Sequence, residues 1–127
     1  MKFRFDNGLI WISLGLKYEG KPIEIANCIL DTGSATTAID IDFVDFNYRK
    51  PAFIRRLCGL GGGIQEVACQ RIDKLVIDKT DMRNVEIEFG DIVSGLGING
   101  FVGNDILSRF SFNVDFSKQK IDMTLQK

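Results

Sequence analysis

Along most of the chain apolar and polar residues alternate with period two, the spacing that puts successive side chains on opposite faces of a strand. The opening MKFRF alternates and runs into Asp6-Asn7-Gly8, a strong hairpin signal, after which LIWISLGLKYE continues as a long strand. GKP turns the chain into IEIANCIL, and ATTAI at 35–39 reads as another strand. DIDFVDF predicts a single helical turn started by Asp40 or Asp42. AFIRRLCGLGGGIQEVACQRIDKLVID reads as two extended arms around a glycine-rich tip, where Gly59, Gly61, Gly62 and Gly63 tolerate positive φ at little steric cost. In MRNVEIEFGDIV, Val85, Ile87 and Phe89 fall on one face of a further strand. SGLGING is a loop leading into FVG, and NDILSRF predicts the one clear helix, with Asn104 as its N-cap. SFNVDF, an SKQ turn and KIDMTLQ close the chain as a hairpin over 111–126. The expected architecture is all-β, a closed or folded antiparallel β-barrel with one short helix near the C-terminus.

Composition narrows the class. A chain of 127 residues fits one domain, residues 1–127, and buries roughly two-thirds of its unfolded surface. Hydrophobic residues make up 45% and charged residues 26%, which disfavours disordered and membrane classes. The N-terminus lacks the uninterrupted apolar stretch and cleavage site of a signal peptide. Cys28, Cys58 and Cys69 are an odd number without close pairing, which suits reduced, packed thiols and a cytoplasmic setting. With a net charge of -1 there is no general attraction to nucleic acid, and Arg49, Lys50, Arg55 and Arg56 read as a solvated basic face. The absence of histidine is the sharpest constraint. It excludes Ser-His-Asp and Cys-His hydrolysis within the chain and removes the commonest nitrogen ligand of zinc. Chemistry here must run on carboxylates, hydroxyls, thiols or amines.

Three motifs bear on that chemistry. GLGING at 95–100 spells a dinucleotide fingerprint, but too little chain follows it for the rest of a parallel βαβ sheet, so nucleotide binding is not expected. GLGGG at 59–63 lacks the Lys and Ser/Thr of a phosphate loop and reads as a bending hairpin tip. Asp31-Thr32-Gly33 taken alone is a turn after a strand. Its setting changes that reading: an apolar CIL precedes it, Ser34 and two threonines follow, and the glycine-rich arms and FVGNDIL come in order behind.

In Ile29 to Ser34, the flap-like glycines, and Phe101-Val102-Gly103 followed by a short helix, the sequence resembles the retropepsin-like aspartic proteases, the single-domain relatives of pepsin, over nearly its whole length. The resemblance implies an acid-protease fold and an aspartic endopeptidase, with no metal or cofactor. Carboxylate-catalysed peptide hydrolysis needs two acids, one ionised to draw a proton from water and one protonated to donate. The chain has one Asp-Thr-Gly; Asp115 lacks the following Thr-Gly, and Asp105 reads as a helix-start acid. The economical solution is a homodimer with one Asp31 from each subunit on the two-fold axis. The resemblance further implies that Thr32 hydrogen-bonds across that axis, that Gly33 allows close approach to the carboxylate, and that Ser34 hydrogen-bonds Asp31. Gly61, Gly62 and Gly63 would form a flap over an extended peptide, with Ser34, Ala35, Ile64 and Phe101 lining the substrate site and Val102 reading better as core. The closing hairpin and MKFRF would form an intersubunit sheet.

The chain departs from the family in lacking a flap tyrosine, and in carrying Ala35 and Asn104 where viral members place a paired acid and arginine. The rival reading is a non-catalytic peptide-binding or assembly module of the same fold.

Overall fold

A computed structural model describes residues 1–58, 64–92 and 97–126, giving only the backbone of 57, 58, 64 and 65. β1 (Arg4–Asp6) and β2 (Leu9–Tyr18) form the hairpin signalled by Asp-Asn-Gly. Asn7 and Gly8 both take positive φ, 53° and 74°, the conformation a tight two-residue hairpin demands. β2 then pairs antiparallel with β3 (Lys21–Leu30). Ile12, Leu14, Leu16 and Tyr18 alternate into the main core while Ser13 and Lys17 stay exposed.

One irregularity in β3 sets up everything after it. Ile12 faces Cys28 and Leu14 faces Ile25, so β3 carries one residue more than its partner between those pairs. This is a β-bulge, with Asn27 at φ 58°. Asn99 clamps it: its N–H donates to Asn27 O at 2.9 Å and its Nδ2 to Ala26 O at 2.8 Å. The extra residue shifts the phase of the strand. Cys28 and Leu30 join the main core, and Ile29 turns to a second cluster with Trp11 and Ile98.

β4 (Ala38–Asp40) leads into a 3₁₀ turn, Ile41–Phe43, capped by the Asp40 carboxylate accepting from the Asp42 N–H at 2.9 Å. Of the two acids expected to start that turn, Asp40 does so. The arms are β5 (Phe53–Cys58) and β6 (Ile64–Arg71), paired antiparallel. β7 (Lys74–Ile77) and β8 (Thr80–Arg83) make a further hairpin, and β9 (Glu86–Gly90) follows. β10 (Gly100–Val102), α1 (Asn104–Leu107), and the hairpin of β11 (Phe110–Asp115) and β12 (Lys120–Leu125) complete the chain.

The fold is mostly β, as expected, but two features of the sequence expectation are corrected. Among the described residues the main sheet is open, running β5-β6-β9-β4-β10-β3-β2-β7-β8 with β1 on β2, and does not close into a barrel. It is also mixed rather than antiparallel: β10 lies parallel to β3, and β4 parallel to β9. The cause is topological. The late strand β10 inserts between β3 and β4, so it runs with one neighbour and against the other. Period-two patterning is common to both ladders and does not reveal such an insertion. The helix is also shifted by one residue: Gly103 is the N-cap and Asn104 the first helical residue.

No helix among the described residues is long and apolar enough to cross a membrane.

Candidate active site

Asp31 stands where β3 ends. Its N–H donates to Val102 O at 2.9 Å, carrying the β3–β10 ladder one step further, so the carboxylate emerges from a buried stretch, Cys28 to Leu30, onto a half-buried ledge. The chain then turns tightly. Ser34 N–H donates to Asp31 O at 3.2 Å, and Gly33 N–H donates to Asp31 Oδ1 at 2.9 Å. A Cβ on Gly33 would sit 3.2 Å from that same oxygen, tighter than most real contacts, which is the close approach glycine allows. The hydroxyl of Ser34 takes a different partner from the one expected: it donates to Thr36 O at 2.7 Å, so its link to Asp31 is through the backbone. Thr32, Gly33 and Ala35 are exposed.

The segment after β10 clasps this loop. Asn104 N–H donates to Ser34 O at 2.8 Å, Asp105 N–H to Ala35 O at 3.2 Å, and Asn104 Nδ2 to Thr32 O at 2.7 Å. The fully buried Thr37 donates its hydroxyl to Asp105 Oδ1 at 2.7 Å and accepts from Gly103 N–H at 3.0 Å; its own N–H reaches Asp105 Oδ2 at 3.1 Å. Asp105 also accepts from the N–H of Ile106. Its role at the helix start is therefore joined to a second one, anchoring the catalytic-loop candidate. Gly103 packs so closely that a Cβ would overlap the Thr36 carbonyl. That overlap explains why the apolar-apolar-Gly must end in glycine.

A cleft of about 340 Å³ opens beside Asp31, lined by Ser34, Thr36, Ala38, Val67, Glu88, Asp91, Ile92 and Phe101. Of the residues expected around substrate, Asp31, Ser34 and Phe101 meet in this cleft. Ala35 is exposed on the same loop, and Val102 is fully buried, as core. Gly61, Gly62 and Gly63 lie outside the described residues, and Ile64 is described by its backbone alone as the first residue of β6.

Glu88 was not anticipated. In Val85, Ile87 and Phe89 the apolar phase assigns Glu86 and Glu88 to a wet face, yet both faces of β9 are covered from Ile87 onward, and the side chain of Glu88 is only 4% exposed. It accepts from Thr36 Oγ1 at 2.7 Å and pairs with Arg55 at 2.7 Å. Arg55 stays exposed, as the sequence placed it, while its guanidinium reaches this buried acid. Cys69 lies 3.9 Å from the same carboxylate, and burial pushes its thiol pKa up.

A wider hollow of about 590 Å³ lies elsewhere, between Tyr18, Ile23 and residues 45–49. Its polar groups fix the loop beside it: Tyr18 donates to Gln70 Oε1 at 2.6 Å, and Gln70 Nε2 donates to Asn47 O and Lys50 O. The acid, glycine and hydroxyl cluster that chemistry needs is at Asp31.

No protein-family model and no curated protein matches the sequence. Among solved structures, the crystal structure of a retropepsin-like aspartic protease from Rickettsia conorii is similar, with a TM-score of 0.67 and 20% identity, over 96% of this chain and 87% of that one. The class defined by the chain's architecture is thus the retropepsin-like fold. The resemblance read from Asp31-Thr32-Gly33 and Phe101-Val102-Gly103 is borne out at the level of fold.

Proposed function

We propose that the chain is an aspartic endopeptidase whose active site forms when two copies bring their Asp31 carboxylates together. The observation that carries this reading is the placement of Asp31: it closes an apolar strand, accepts the Gly33 N–H, borders a cleft of about 340 Å³, and rides on a loop clasped by Gly103 to Asp105. Thr32 and Gly33 are exposed beside it, on the face a partner would cover.

The two acids, held a few ångströms apart, share one proton because both cannot ionise easily. The ionised member draws a proton from a water molecule as that water attacks the amide carbonyl, while the protonated member donates to the carbonyl oxygen. Collapse of the tetrahedral centre then expels the amine, with the proton returned by the carboxyl pair. The pair titrates as a unit, so neither Asp31 has a private pKa. Thr32 holds the two loops across the axis, and Gly33 keeps the carboxylate within reach of its own N–H. Substrate lies extended between the carboxylates and the arms of β5 and β6, hydrogen-bonded as an added strand, with Ser34, Ala35 and Phe101 selecting side chains.

The test is a peptide-library digest comparing the parent with Asp31→Asn. The expected result is cleavage by the parent and none by the variant, with the dimer intact in sedimentation. Cleavage surviving in Asp31→Asn removes the mechanism. A parent that binds a peptide bearing a tetrahedral hydroxyl centre, yet releases no product at any pH, is the non-catalytic module instead.

A further inference from the structure

The cleft wall contains an acid, Glu88, that none of the proposed catalytic chemistry uses. Glu88 sits on β9 at the middle of the sheet, between Cys69 of β6 and Ala38 of β4. Its carboxylate is divided between two elements distant in sequence: one oxygen accepts from Thr36, just beyond the Asp31 loop, and the other from Arg55, on the arm β5. The backbone repeats the first link, since Glu88 N–H donates to Thr37 O at 3.0 Å. β5 is not a neighbour of β9. Arg55 pairs in register with Val67 on the intervening β6, so the two side chains together bridge two strand spacings, about 10 Å.

Arg55 is the right residue for that reach, because a long apolar stem can lie over the strand between while the guanidinium keeps its charge at the far end. Its side chain is 45% exposed and that of Glu88 4%, so the buried acid depends on this one cation far more than the cation depends on the acid. The neighbouring Arg56 pairs with Glu66 at 3.2 Å, but both are exposed, and such a pair contributes little. Two adjacent arginines on one arm therefore differ in kind: one decorates the surface, and the other ties the arm to the floor of the cleft.

We infer that Glu88 and Arg55 are positioning residues, a buried charged tie that holds the β5–β6 arm and the Asp31 loop in one frame and thereby sets how tightly peptide is gripped. The inference rests on the cleft being the peptide site proposed above. Glu88 and Arg55 move no proton; they act through Thr36 and through the placement of β5. Losing the tie should therefore weaken peptide binding while leaving the rate of the bound complex nearly unchanged.

The experiment uses the full chain as Arg55→Met, Glu88→Gln, the pair together, and Arg56→Met. Hydrogen exchange of the Ser34 and Glu88 amides reports the loop without any substrate. Steady-state cleavage, and the Kd of a peptide bearing a tetrahedral hydroxyl centre, report the grip. The expected result is exchange faster by about tenfold in Arg55→Met, KM and Kd raised by about tenfold with kcat within about twofold, and a pair no worse than the worse single variant. Arg56→Met exchanges at the parent rate. Exchange unchanged in Arg55→Met, or a lower melting temperature with KM and Kd unmoved, overturns the tie. A parent that neither cleaves nor binds peptide overturns the proposed function instead, and exchange alone then decides whether the arm and loop are joined.

Discussion

The Thr37 hydroxyl donates to Asp105 Oδ1 at 2.7 Å while accepting from the Gly103 N–H at 3.0 Å, so one buried side chain joins the loop after Asp31 to the helix after β10. The two ends of that link flank β4 and β10, strands that meet because β10 inserts between β3 and β4.

Replacing Thr37 by Val keeps the shape and removes both bonds. The Gly103 N–H then loses its partner, and Asp105 loses one donor. Each buried polar group left unsatisfied costs about 1–3 kcal/mol, so the variant should unfold with stability lower by roughly 2–4 kcal/mol. Urea unfolding followed by tryptophan fluorescence measures it; a loss below the spread of surface substitutions would show that this link is not a principal support.

The two glycines of the site should respond differently. Gly103→Ala forces a methyl into the Thr36 carbonyl, backbone against backbone, so the loop must move or the strand detach. Overpacking typically costs about 1–3 kcal/mol, and this clash, the tightest of the described glycines, should fall at or above the top of that range and remove cleavage along with stability. Gly33→Ala meets only the Asp31 carboxylate, at 3.2 Å. If Asp31 is the catalytic acid, the variant's melting temperature should stay near the parent's while kcat falls, because the added methyl displaces Asp31 Oδ1 rather than the core.

If each subunit supplies one acid, cleavage should fall faster than linearly as protein is diluted through the dimer dissociation constant, approaching a square dependence. Initial rates across a dilution series, beside sedimentation at the same concentrations, decide this. A rate strictly proportional to protein through a range where the monomer predominates would remove the shared site.

Burial pushes the Cys28 thiol from 9.0 up to about 12, since ionising it would put a charge into the core. Burial likewise raises Cys69 and Tyr18. A raised folded pKa means that the native state holds its proton where the unfolded chain has lost it. The contribution is whole below about pH 9 and is lost as pH climbs toward 12. Stability should therefore decline on the alkaline side, with Cys28 silent to thiol reagents at pH 8 until the protein unfolds. Rapid labelling of Cys28 in the native state would contradict its burial.

Much of this site is legible in the residues. Asp31-Thr32-Gly33-Ser34, glycine-rich arms and Phe101-Val102-Gly103 in that order announce the fold, because an acid closing an apolar strand and a glycine pressed on the Thr36 carbonyl carry desolvation and steric costs that chance turns would avoid. What period-two patterning cannot carry is which strand lies beside which; hence an expectation of an antiparallel barrel and the finding of an open, mixed sheet. Asn104 offered a cap by its chemistry, yet Gly103 takes that place because no side chain fits against Thr36. Glu88 escaped notice for a related reason. Alternation assigns a face but not what meets it there, and the partners of this acid, Thr36 and Arg55, come from distant parts of the chain.

The insertion of β10 also orders events in time. Residues 28–30 and 38–39 leave a gap between them that only residues 100–102 can fill, and the loop carrying Asp31 has no clasp until Gly103 to Asp105 arrive. Long-range pairings of this sort form late, after the entropy of closing a large loop has been overcome. A nascent or truncated chain that stops short of that point carries Asp31 on a loop without its clasp, so under the proposed function no cleavage is expected from a chain that ends before residues 100–105.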